Sequence, residues 1–355
     1  MRARPVPDNV DDPLHPLVPQ LALQLTQATD AAQVQQAALQ IEGLVAPLHR
    51  GGVPVERIAQ QVCELNAQVF ARLWSLLAPA ELVRQSCLIV MGSEGRGEQV
   101  FKTDQDNALL LRDGGDPSLL EPLAQRFIDA LMACGYPRCP GNIMLSNPLW
   151  RQPVAGFRQS LREWIFGADP RGPMLLAIFL DAAPVAGDST LLYRAREFVQ
   201  AHVVDNDAFF ARFARAADQF NEPGGWWQWL GLRRARDETL FDLKKLGTFP
   251  IVHGVRALAL QHRLAAVRTT ERLRGLVSGQ HLAPAMAAEL TGALHLLMTL
   301  KLEHNLAQRE RGEPLDNLLH PAALSALQRE RLQAALATVK VFRQHLRRHF
   351  SLDSL

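Results

Sequence analysis

The chain of 355 residues has no apolar run near the roughly 20 residues that a bilayer-spanning helix needs. Its start, MRARPVPDNVDDPLHPLVPQ, is broken by prolines and carries acids, without the apolar centre of a signal peptide. These two absences argue for a cytoplasmic protein with no membrane partner. An excess of one charge is also missing, since 38 Lys and Arg stand against 36 Asp and Glu for a net +2. The whole molecule therefore has no strong field toward nucleic acid or a lipid surface. Cysteine is scarce, at four residues. Cys63 and Cys87 sit in apolar contexts and read as small buried hydrophobes. Cys134 and Cys139 are spaced C-x-x-x-x-C, but no second Cys or His pair completes a zinc site, so a proline-shaped loop is the favoured reading. Internal repeats and low-complexity segments are absent too. Hydrophobic residues at 48% and charged residues at 21% are ordinary for a globular protein with a full core. The length suggests two to three domains of roughly 150 residues.

Apolar residues recur at three and four residue spacing from residue 16 to about residue 84, interrupted at HRGGVP, which predicts an N-terminal helical segment over 1–84. The texture then changes to short apolar runs, with candidate strands at Leu88 to Met91, Asn107 to Arg112, Asn142 to Leu145 and Leu175 to Asp181. A helical segment, PSLLEPLAQRFIDALMACG, lies between the second and third runs. Residues 85–200 thus read as a strand-and-helix domain, and 201–355 as an all-helical domain. Its last helix, 323–350, ends in Arg347, Arg348 and His349, cations that suit a helix C-terminus.

The segment CLIVMGSEGRGEQVFKTDQDNALLLR, residues 87–112, carries the chemistry. An apolar strand runs into GSEGRG, whose three glycines in six residues are costly in a plain helix, at about 1 kcal/mol each. It is not a Walker loop, because no G-K-[ST] follows, nor a dinucleotide fingerprint, because the spacing is G-x-x-G-x-G. Gly92 and Ser93 fit the mouth of the strand, where backbone amides and a hydroxyl can hold phosphate oxygens. Asp104 and Asp106 are one residue apart, so on an extended strand they share a face and can share divalent cations. Arg96 and Lys102 would add positive charge where a metal-bound polyphosphate sits.

Strand, Gly92-Ser93, then Asp104-x-Asp106 resembles the signature of the nucleotidyltransferase fold shared with DNA polymerase β. The fuller string GSEGRGEQVFKTDQDNALLL is similar to a bacterial family related to the N-terminal part of protein-PII uridylyltransferase. CPGNIMLSNPLWR, FLDAAPVAGD, FDLKKLGTFPIVHGVRALAL and TTERL extend the resemblance over roughly residues 35 to 350, into a C-terminal helical substrate-binding domain. Gln105 and Asn107 depart from the general signature, which favours apolar residues beside the second acid; the closer family resembles this chain at both positions. The resemblance implies an α+β fold, with a small mixed-sheet nucleotidyltransferase domain flanked by N-terminal helices and a C-terminal helical bundle. It implies Mg2+, with Mn2+ as a substitute, and transfer of a nucleoside monophosphate from an NTP to a hydroxyl on a protein or small molecule, a protein tyrosine first. It also implies a third carboxylate. Asp181 is the candidate for it, as metal ligand and proton acceptor, with Asp188 as rival. Family members often carry N-terminal sensing domains, so regulation here is expected from the helical segment or a separate partner. No paired His-Asp hydrolase motif is evident, which points to transfer without removal.

In the helical domain Lys244 and Arg256 are candidate nucleotide contacts, and of the adjacent Lys244 and Lys245 only one should face the cleft. His253 reads as a packed histidine, while Thr270, Glu271 and Arg272 could cap the following helix or reach the site, with capping the favoured reading. Asn142, Asn147 and Arg151 suit a nucleotide contact or a rigid loop equally. Trp226, Trp227 and Trp229 read as core filling, with one free to line a stacking surface. Two other functions remain open from the sequence. One is a non-catalytic nucleotide sensor that docks on a partner, which would need no triad of carboxylates. The other, a nucleic-acid nucleotidyltransferase, is disfavoured because the chain has no long basic stripe.

Overall fold

The computed structural model describes residues 16–114, 116–204, 206–215 and 240–354. Four helices come first, α1 (Leu17–Gln27), α2 (Ala31–Ile41), α3 (Val45–Arg50) and α4 (Val55–Leu77). Asp30 starts α2 by accepting the backbone N–H of Gln33 at 2.9 Å. Along α4 the buried stripe Ile58, Val62, Leu65, Val69 and Leu73 follows the helical period. That stripe packs α4 against α1, α2 and, further on, the sheet.

A short α5 (Ala80–Arg84) leads into β1 (Ser86–Val90) and then α6 (Gly92–Gly95), β2 (Asn107–Leu111) and α7 (Glu121–Ala133). There follow β3 (Arg151–Pro153), α8 (Val154–Phe166), α9 (Gly172–Phe179), β4 (Ala183–Gly187) and α10 (Thr190–His202). The sheet order is β3-β2-β1-β4. β1 runs antiparallel to β2 and β4, whereas β2 and β3 are parallel, so the sheet is mixed. Every residue of β1 and β2 is buried, as in strands covered on both faces.

Two expected strands are not strands. The run ending at Asp181 lies in α9, buried on nearly all sides, and the neighbouring strand starts only at Ala183. A short apolar run cannot distinguish a buried strand from a buried helix by period alone. Residues 142–145 form a turn, with Asn142 at φ 54°. Their backbone is satisfied by one side chain and its own main chain: Asn107 N–H donates to Ile143 O, and Asn107 Oδ1 accepts from Leu145 N–H, both at 3.0 Å.

The remaining described helices are α11 (Asp207–Arg215), α12 (Phe249–Gln261), α13 (Thr269–Ser278), α14 (Pro284–Glu310) and α15 (Ala326–His349). Ser325 and Gln328 close a reciprocal capping box at the start of α15. This region is not wholly helical. β5 (Phe241–Asp242) pairs with β6 (Leu318–Leu319), and a π-helical turn spans Leu243–Thr248. The apolar core is continuous from α1 to α15, and the architecture is α+β with a helical C-terminal region. Among the described residues no helix is long and apolar enough to cross a membrane. Trp226, Trp227 and Trp229 lie outside the described residues.

Candidate active site

Gly92 follows β1 with φ +59°, and a Cβ there would meet Asp106 Oδ2 at 2.6 Å. Glycine is therefore required twice, for the left-handed backbone and for the close approach of the second aspartate. Asp104 and Asp106 precede β2 rather than lying in it, but the ladder reaches them, because Met91 N–H donates to Asp106 O at 2.9 Å. Both acids are half-buried. One oxygen of each and the sulfur of Cys139 lie within 4.8 Å of one another. Burial, then the charge of Asp104, pushes the Asp106 carboxyl up to about 7.

The two acids fit a divalent cation. Asp106 Oδ1 is buried with no hydrogen-bond partner among the described residues, and an ion would satisfy it. Carboxylate oxygens suit hard cations such as Mg2+ and Mn2+.

Two lysines of the C-terminal region act electrostatically on this pair. Lys244 is the second residue of the π-helical turn, which Asp242 caps by accepting its N–H and that of Lys245. Lys245 turns back to pair with Asp242 at 3.6 Å, while the charge of Lys244 is felt at Asp106. Lys301 joins it from α14. Burial and then Lys244 pull its ammonium down to about 8, with Asp104 acting in the other direction. Sequence reasoning missed Lys301. The signal was present, since Leu290, Leu294, Leu297, Asn305 and Gln308 form the buried stripe of α14 and Lys301 occupies its missing step.

A model of the family described as "Putative nucleotidyltransferase DUF294" matches residues 39–171, and one described as "Putative nucleotidyltransferase substrate binding domain" matches residues 207–350. The chain belongs to this nucleotidyltransferase family. No curated protein matches it significantly. In this DUF294 protein both acids and the glycine turn fall in the first matched segment, and Lys244 and Lys301 in the second.

Other expected site residues stand elsewhere. Asp181, expected as the third metal acid, is 1% exposed and is not grouped with Asp104 and Asp106. Its Oδ1 accepts from Arg256 Nε at 3.0 Å and Arg272 Nη1 at 2.8 Å. Its Oδ2 accepts from Arg96 Nη1 at 2.6 Å and from Arg256 Nη2. Burial alone would raise this carboxyl, but Arg256, Arg96 and Arg272 outweigh it and hold the group below the usual carboxylate range. Arg96 and Arg256 are consequently occupied by an acid instead of standing free for a nucleotide. Arg272 lies in the first turn of α13 and reaches this cluster, and the residue before that helix, Arg268, makes no side-chain cap. The rival Asp188 accepts from Thr190 and Arg112 and caps α10.

Lys102, expected at the polyphosphate, also stands elsewhere. It is buried and donates to Ala38 O at 2.6 Å and Cys134 O at 2.9 Å, so its ammonium ties α2 to the end of α7. The hydroxyl of Ser93 donates to Gln99 Oε1 at 2.7 Å, so its proton is taken up within the turn. His253 is packed, bridging Phe213 O and Arg256, and burial takes its imidazole down to about 3. Arg151 donates to Leu145 O and Pro117 O, and Asn147 caps the turn at Leu149, which makes that loop a structural one.

Proposed function

We propose that the protein transfers a nucleoside monophosphate from an NTP to a hydroxyl acceptor with the help of Mg2+, and that the acceptor is a protein tyrosine, as in uridylylation of a PII-type regulator. The observation that carries the reading is the pair Asp104 and Asp106, with one oxygen of each within 4.8 Å, at a turn where Gly92 has no room for a side chain, and with Asp106 Oδ1 buried and without a hydrogen-bond partner among the described residues. A bound Mg2+ would neutralise phosphate charge and favour in-line attack on the α-phosphate with loss of pyrophosphate. Asp104 and Asp106 would hold that ion. Lys244 and Lys301 would bind the departing phosphates, and the amides of α6 would orient them. The tyrosine acceptor and the PII-type partner rest on the sequence resemblance.

Incubation with each labelled NTP, Mg2+ and a panel of protein and small-molecule hydroxyls tests the reaction. Pyrophosphate should appear with one acceptor, and Asp104→Asn with Asp106→Asn should abolish it while leaving circular dichroism unchanged. Lys301→Met should weaken NTP binding about tenfold, the effect of one lost charge-assisted contact, and Lys301→Arg should restore most of it.

A second reading has one observation in its favour. The arginines take up both oxygens of Asp181, which leaves two acids without the expected proton acceptor. That arrangement suits a nucleotide-binding module docking on a partner. NTP binding without pyrophosphate release under any acceptor would select it.

A further inference from the structure

Phosphate chemistry needs no thiol, yet Cys139 sits against the two acids. Its sulfur lies within 4.8 Å of one oxygen from each aspartate. The loop that carries it is tied down on both sides of Asp106. Gln105 Nε2 donates to Tyr136 O at 3.1 Å, and Asn107 Nδ2 donates to Gln105 Oε1 at 3.1 Å. Asn107 also holds Ile143 O and Leu145 N–H, each at 3.0 Å. The two polar residues that depart from the apolar pattern beside the second acid are thus the clamps that fix the position of Cys139. A thiol fixed this way, 7% exposed and directed at two carboxylates, is a preorganised donor.

We propose that Asp104, Asp106 and Cys139 form a three-donor site that captures a thiophilic divalent cation of the Zn2+ class and excludes the oxygen-seeking ion from the aspartates. Zn2+ accepts sulfur and carboxylate oxygen together and leaves an open position in three-ligand sites, whereas Mg2+ takes oxygen ligands and gains nothing from the sulfur. On capture a sulfur–metal bond forms as the S–H bond breaks, and the proton passes to solvent; no electron changes hands. The buried Oδ1 of Asp106 supplies an acceptor that no protein donor uses among the described residues. Cys63, Cys87 and Cys134 are buried and stand in no such group among the described residues. Capture itself is independent of the transfer reaction. Its consequence, inhibition by displacement of the catalytic ion, rests on the function proposed above.

Cd2+ is the probe, added to the metal-stripped full-length protein and followed by the ultraviolet sulfur-to-cadmium charge-transfer absorption. A saturable band should appear, shift to higher Cd2+ as Mg2+ is added, and persist in Cys134→Ser. Cys139→Ser should bind Cd2+ at least about tenfold more weakly and lose the band. No band in the wild type, an equal band in Cys139→Ser, or indifference to Mg2+ would overturn the assignment. Should Cys139→Ser fail to fold, Asp104→Asn keeps the thiol and must still weaken Cd2+ binding; unaltered binding there overturns the assignment equally. A protein that shows the band yet releases no pyrophosphate would refute the transfer reaction and leave this site standing.

Discussion

A buried carboxylate oxygen without a donor costs stability, and among the described residues Asp106 Oδ1 has none and lies beside a second acid. Asp106→Asn should therefore raise the thermal midpoint of the metal-free protein by the equivalent of about 1–2 kcal/mol while removing transfer. An unchanged or lowered midpoint would mean that the acid is already satisfied. Glu94, on α6, gives a pH signature. It is 8% exposed, accepts from Asn66 Nδ2 at 3.2 Å, and burial pushes its carboxyl from 4.5 up to about 8. Below pH 4.5 the group is protonated in both the folded and unfolded states. Between 4.5 and about 8 the unfolded chain releases the proton and the folded chain keeps it, so stability falls as pH rises across that window. Glu94→Gln should flatten this slope in denaturant titrations. A slope equal to the wild type's would place the proton elsewhere.

At the scale of elements, α6 rests directly on the turn before β4. A Cβ on Gly95 would meet Asp181 O at 2.0 Å and Val90 O at 2.8 Å, both of them backbone atoms that cannot swing aside. Gly95→Ala should cost more than about 2 kcal/mol or prevent folding, whereas Gly292→Ala in α14, with nothing within 4 Å, should stabilise by about 0.5–1 kcal/mol. Melting curves of the two variants moving together would contradict this seating. The same elements show what the sequence made legible. The glycine turn, the acid pair and the helical flanks could be read because spacing and period encode them locally. α9 was misread because the seven-residue apolar run MLLAIFL fits either period. Lys102, Arg96 and Arg256 were read by charge alone, and their partners, Ala38, Cys134 and Asp181, come from distant parts of the chain. Lys301 was overlooked because a lone cation on an apolar stripe has meaning only once the facing π-helical turn is in place.

At the scale of the whole molecule, Asp181 joins the family's two segments. Arg256 and Arg272 belong to the second segment, and with Arg96 they surround one acid. Removing the acid leaves three guanidinium groups in a buried site, so Asp181→Ala should destabilise by about 3–5 kcal/mol. A variant of wild-type stability would show that the cluster contributes nothing net. Thr269 N–H adds a hydrogen bond to Glu98 Oε1 at 3.1 Å across the same seam.

The Asp181 cluster also bears on how the chain folds and breathes. Its contacts span 75 to 91 residues of sequence, so closing it requires both halves of the protein to be in place. The amides of the turn at 180–182 donate locally, to Leu176 O, Ile178 O and Phe179 O, but the Asp181 carboxylate is held by arginines of other elements. The amides of this turn should exchange with solvent hydrogen in step with those of α12 and α13, as one cooperative opening unit, even though the turn leads into the sheet.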